Sequence, residues 1–158
     1  MVKAEFIKQY EHTWSVFERI VEDFDNGAWK NTGRGTTTPV RLSFHILKAV
    51  KYYLEDSGTI HFDSGKSFES NSETAQDEDL PSQKDIIICI DMFRGKTEKW
   101  LNEMDFNAEN KSFEWAGETK LGVVIFLLHH SLFHIGELSS LLNESKNGDV
   151  EDHYVKAL

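Results

Sequence analysis

The chain has a single cysteine, Cys89, in 158 residues. No internal disulfide can form, which excludes the cystine-stapled scaffolds of small secreted domains and fits a reducing compartment. Positive charge is scarce too: 17 Lys and Arg stand against 27 Asp and Glu, a formal net charge of −10. An acidic surface repels phosphate backbones, and the nearest approach to a basic patch is "KAVKYY" at 48–53, with two lysines. Nucleic acid is therefore not the expected partner. Long apolar runs are missing. The longest, "LGVVIFLL" at 121–128, falls well short of the ~20 residues that cross a bilayer. The opening "MVKAEFIKQYEHTW" has no apolar signal core. These absences together predict a soluble cytoplasmic protein with no membrane partner.

Aromatic side chains are plentiful, with 11 Phe, 4 Trp and 4 Tyr. A chain of this length can bury a core without staples, and one domain over 1–158 is expected. Four stretches carry helical period. Ile7, Tyr10, Trp14, Phe17, Val21 and Phe24 form one stripe, and "DNG" at 25–27 reads as its stop. The second begins after Thr38, a candidate cap, with Pro39 at the first helical position and a stripe of Leu42, Ile46, Ala49 and Tyr53. The third begins at Ser82, where Asp85 three residues on resembles a capping box, and carries Ile86, Ile90, Phe93, Thr97, Trp100 and Met104. Its "IIICI" run could pass for a strand, but the period on both sides favours helix. The fourth, from about Thr119 to about Glu144, has the stripe Val123, Leu127, His130, His134, Leu138 and Leu141. Gly122 and Gly136 weaken it, and Gly136 is the expected place of close backbone approach.

Two connections stand out: a Gly/Thr-rich loop at 27–37 that carries Trp29, and a long acidic, Ser-rich one at 57–80. Loops as long as the second are often functional. The tail after Asn147 is expected to fray or to dock late. Four amphipathic helices with a long crossover between the second and third predict an all-α four-helix bundle.

Two histidines on a core stripe need explaining, because a buried imidazole without a partner is costly. His130 and His134 are one turn apart and face the same way. That spacing lets two ring nitrogens reach one ion at ~2.0–2.1 Å. His45, on the core edge of the second helix, is the best third ligand. The alternative is a bundle core with satisfied polar side chains. The His-Glu-x-x-His pattern of zinc proteases is absent, since Ser131 follows His130, and there is no Glu-x-x-His pair of the di-iron bundles. Glu137 lies on the same flank and can either orient a ligand imidazole or accept a proton from bound water; a solvent-facing or inter-helix role is the plainer reading. His129 points about a quarter turn away, as a helix-flank residue, and His12, His61 and His153 are expected in solvent. Cys89 reads as a buried inert thiol. "GRG" at 33–35 is too short for a phosphate loop. Trp14, Trp29, Tyr52 and Tyr53 could line a pocket, though aromatics at helical spacing more often make core.

"RLSFHILKAVKYYL" at 41–54, followed later by "LLHHSLFHIGEL" at 127–138, resembles the DinB-like (DinB/YfiT) superfamily. The likeness covers nearly the whole chain, including the Trp-bearing first helix and "PSQKDIIICIDMFRGKTEKWL" at 81–101. It implies a four-helix bundle that often dimerises, so a homodimer, with a divalent metal, zinc or nickel, on His45, His130 and His134. Characterised members include thiol-dependent transferases and isomerases that use low-molecular-weight thiols such as mycothiol or bacillithiol. The expected function is a metal-dependent thiol transferase or hydrolase acting on a small-molecule substrate. The alternatives are a non-catalytic metal-binding or stress-related module, and a purely structural dimer with core histidines.

Overall fold

A computed structural model describes residues 2–60, 62 and 74–157. Among these residues the chain is all-helical. Its six α-helices are α1 (Val2–Asp23), α2 (Asn26–Asn31), α3 (Pro39–Tyr53), α4 (Gln83–Glu103), α5 (Lys120–Ser145) and α6 (His153–Lys156), with 3₁₀ turns at Asp77–Asp79 and Glu114–Ala116. The four periodic stretches are the four long helices. Helix α4 runs unbroken through "IIICI", because packing of one face outweighs the modest cost of β-branched residues in a helix.

Helix α1 packs on α4 and α5, and α3 packs on α5 and α4. The shared core takes Tyr10, Trp14, Phe17 and Val21 from α1 and Ile86, Ile90 and Phe93 from α4. The buried face of α3 is wider than its predicted stripe, because Phe44, Leu47 and Val50 join Leu42 and Ile46 while Ala49 is only half-buried. A helix gripped from two sides has no single stripe. At the end of α4, Leu101 is buried and the predicted Trp100 and Met104 are half-exposed.

The "DNG" stop is not a glycine-capped helix end. Gly27 lies inside the short helix α2 and is not among the positive-φ residues. The carbonyls left over at the end of α1 are met from elsewhere: Gln83 Nε2 donates to Val21 O at 2.8 Å and Phe24 O at 2.7 Å. Trp29, expected on a loop, is a core residue on α2, 2% exposed, with its indole N–H on Pro81 O.

The capping box at α4 forms as expected. Ser82 Oγ accepts from Asp85 N, and Asp85 Oδ2 accepts from Ser82 N. Thr38 and Thr119 hold the N-cap positions of α3 and α5 without a side-chain cap bond. The close backbone approach expected at Gly136 occurs instead at Gly122, where a Cβ would stand 2.3 Å from Ala116 O; around Gly136 there is open space.

The tail docks. Asp23 accepts from His153 Nε2 at 3.0 Å and Lys146 Nζ at 3.1 Å, and His12 Nε2 pairs with Tyr154 O at 2.8 Å. Burial works against the Asp23 carboxylate, but the bonds from His153 and Lys146 outweigh it and hold its pKa below the ordinary value. His12 and His153, expected in solvent, therefore hold this segment down; His61 lies outside the described residues. So does most of the 57–80 connection, whose described flanks are anchored by buried Ile60, Phe62 and Leu80.

Helix α5 is long and apolar enough, by length and composition, to cross a membrane. The eight-residue run hid this because histidine, serine and glycine interrupt it without adding charge. A core helix passes the same test, and α5 packs against both α1 and α3.

Candidate metal centre

Two helices build the site. His45 lies in the second turn of α3, and His130 and His134 lie mid-way along α5. The inward face of α5 has Leu127 below the pair and Leu138 above, both fully buried. The three imidazoles converge, with ring centroids 5.5 Å apart for His45 and His130, 4.7 Å for His45 and His134, and 4.6 Å for His130 and His134. One ligand nitrogen from each lies within 4.8 Å of the other two, and this group could hold a metal ion. Nitrogens on a tetrahedral ion at ~2.0–2.1 Å stand about 3.3 Å apart, so the three rings would have to draw together around an ion.

The donor set fits an ion on two counts. Among the described residues His130 Nδ1 is buried and has no hydrogen-bond partner, a costly arrangement that a ligand or ion at that nitrogen would relieve. His130 is also neutral at pH 7: burial first, then the neighbouring His134, His45 and His129, lowers its pKa to about 4. Neutral imidazole is the form that ligates.

Glu137 supports the pair. Its Oε2 lies 2.7 Å from His134 Nδ1. With Nδ1 donating to a carboxylate, Nε2 is the nitrogen left for a metal, and the ring is held in one orientation. Of the two functional roles weighed for Glu137, this contact favours ring orientation.

A cavity of about 230 Å³ opens beside the triad, lined by Thr36, Thr37, Arg41, Leu42, His45, His134 and Glu137. Thr36 and Thr37 reach it because the chain turns sharply before α3, with Gly33 at φ 79° and Arg34 bridged to Thr37. Any Cβ at Gly33 would meet Thr37 O at 2.0 Å. The "GRG" stretch thus shapes the rim. On the other side His130 stacks on Phe126, with Tyr53 at 6.5 Å. Of the four aromatics weighed for a pocket, Trp14 and Trp29 are core, Tyr53 backs the triad, and Tyr52, though exposed, lines a separate cavity with Lys48, Glu55 and Phe113. His129 is exposed and sits edge-on to Phe126. Cys89 is buried, and burial with Asp85 nearby raises its pKa to about 12, so it is no nucleophile. Arg41 is the residue that sequence reasoning missed. Its place one turn before His45 was the available signal.

No protein-family model, curated protein or solved structure matches this chain.

Proposed function

We propose that the protein is a DinB-like four-helix bundle that binds one divalent metal, zinc or nickel, through His45, His130 and His134. The reading goes on to a metal-dependent thiol transferase or hydrolase acting on a small-molecule substrate. The supporting observation is the convergence of three imidazoles within 4.8 Å, one with a buried nitrogen that has no partner. Bound there, a divalent ion supplies a held thiolate or a water acidified to a pKa of ~7. The chain's own contributions are distinct. Glu137 fixes the tautomer of His134 and is the only carboxylate among the described residues that line the cavity. Phe126 and Tyr53 back His130 and keep water from that side. A homodimer in the cytoplasm belongs to the same reading; the solvent-facing Ile125 and Phe133 of α5 offer it an apolar face.

A second reading, a metal-bound bundle without catalysis, draws on one observation. Among the described residues, the one carboxylate lining the cavity is already engaged by His134, which leaves no uncommitted general base among those residues.

The test is metal content per chain on untagged protein, with His130→Ala beside it. About one ion per chain, lost in the variant, is the expected result. No metal, and no uptake of added zinc or nickel, overturns both readings. Metal with no turnover of thiols, electrophiles or esters leaves the second.

A further inference from the structure

A separate cavity of about 580 Å³ lies between α1, α5 and the docked tail. It uses the opposite face of α5 from the histidines and shares no lining residue with the metal-centre cavity. Its volume is that of an ordinary small-molecule site. Val16 and Ile20 of α1, with Leu132 and Ile135 of α5, give it an apolar floor. Gly136 lines it too. A glycine in mid-helix weakens the helix relative to alanine, and close approach of a neighbour is the usual reason to have one. No such neighbour exists here: nothing lies within 4 Å of a Cβ at Gly136. The missing side chain serves no packing of the chain on itself, and it leaves the cavity open.

The polar part of the wall is made of acceptors. Ser140 Oγ gives its proton to Gly136 O at 3.2 Å, so its lone pairs are what remains for a ligand. Asp152 accepts both cap bonds of α6, from Tyr154 N and Val155 N, on Oδ1, and Oδ2 has no partner among the described residues. Glu151 is paired with Lys156, and the two side chains are 63% and 49% exposed, the kind of solvent-facing pair that is worth little. Among the described residues no Lys or Arg lines the cavity. His153 does, but its Nε2 proton goes to Asp23, so a charge on that ring is already balanced.

We infer that this cavity takes a small apolar amine, its hydrocarbon body on the floor of Val16, Ile20, Leu132 and Ile135 and its ammonium head among Asp152, Glu151 and the Ser140 hydroxyl. An ammonium has only donors to offer, which suits a wall of acceptors, and bonds between an ionised donor and a carboxylate are the strong ones. A carboxylate ligand would meet two like charges and no free cation. An alcohol of the same shape would cover the same floor and forgo the charge.

The test needs no metal and is run on the full chain with and without a chelator. The protein is titrated with 2-naphthylmethylamine, 2-naphthylmethanol and 2-naphthoate, which share one apolar body, and backbone amide NMR signals report where and how tightly each binds. The expected result is that signals of 132–143 and 150–154 move, and that the amine binds roughly five-fold tighter or more than the alcohol at low salt, with the carboxylate weakest. Gly136→Leu puts a side chain into the open space. It should fold at least as stably as wild type and lose ten-fold or more in affinity for amine and alcohol alike. The double variant Glu151→Gln with Asp152→Asn keeps the helix cap, since Asn caps as well as Asp. It should bring the amine down to the alcohol's affinity and leave the alcohol unchanged. Shifts elsewhere, full binding in Gly136→Leu, or amine binding that the chelator abolishes overturns the site. Equal affinities of amine and alcohol in wild type, or a preference that survives the double variant, overturns the amine assignment.

Discussion

His134 Nδ1 and Glu137 Oε2 lie 2.7 Å apart on successive turns of α5. The carboxylate fixes which nitrogen of the ring carries the proton, so its removal loosens a ligand without deleting one. Glu137→Gln is expected to keep the fold and weaken zinc affinity by roughly 10–100-fold, measured by competition with a chromophoric chelator. An unchanged affinity means that the contact is surface decoration.

Without metal, His130 costs stability, because its Nδ1 is buried and has no partner among the described residues. His130→Leu should make the metal-free protein more stable by about 1 kcal/mol, read from denaturant midpoints. Added zinc should then raise the midpoint of wild type only, as binding to the folded state alone requires. A variant that is less stable than the metal-free wild type would show that the imidazole already has what it needs.

The pH dependence has a definite sign. His130 has a pKa of about 4 in the folded protein against an ordinary 6.5. Between those values the unfolded chain binds a proton at this residue and the folded chain does not. Its contribution to stability is therefore present above pH 6.5 and lost as pH falls through about 4. Acid unfolding of the metal-free protein, followed by circular dichroism, should be shallower in His130→Leu across that window. Parallel curves would contradict a neutral buried imidazole. Zinc should leave as the medium acidifies, since protons and metal compete for the same lone pairs.

The two kinds of helix start should respond oppositely to mutation. Ser82→Ala removes a reciprocal cap from α4 and should cost about 1 kcal/mol. Thr38 makes no cap bond at α3, and its hydroxyl is buried without a partner among the described residues, so Thr38→Val should be neutral or stabilising. Thermal midpoints of the two variants settle it, and equal losses would mean that Thr38 caps in solution.

Much of this was legible in the sequence because it is periodic. Tyr10, Trp14, Phe17 and Val21 announce α1, and the Ser82–Asp85 pair announces α4, through local rules that need no partner. The three histidines could be grouped because two share a helix face and the third flanks another core stripe. Features that depend on distant residues stayed hidden. The end of α1 looked like a glycine stop because the true cap, Gln83, is far along the chain. Asn26 and Gly27 disguised α2, a helix that exists because Trp29 has a core to enter. The place of His153 was invisible for the same reason, since Asp23 lies at the opposite end of the sequence. Arg41 did carry a signal, its place one turn before His45, but that place gained meaning only once the turn at 33–37 brought Thr36 and Thr37 to the same cavity.

The lone buried cysteine leaves this chain without a covalent staple. The triad draws its members from two helices only, α3 and α5. An ion held at residues 45, 130 and 134 would tie together two points remote in sequence and close a long loop, as a disulfide does. Such a tie can be undone by a chelator or a change of metal supply, with no bond broken and no thiol oxidised. Whatever else the ion does, the protein's resistance to unfolding would then follow the metal available to it.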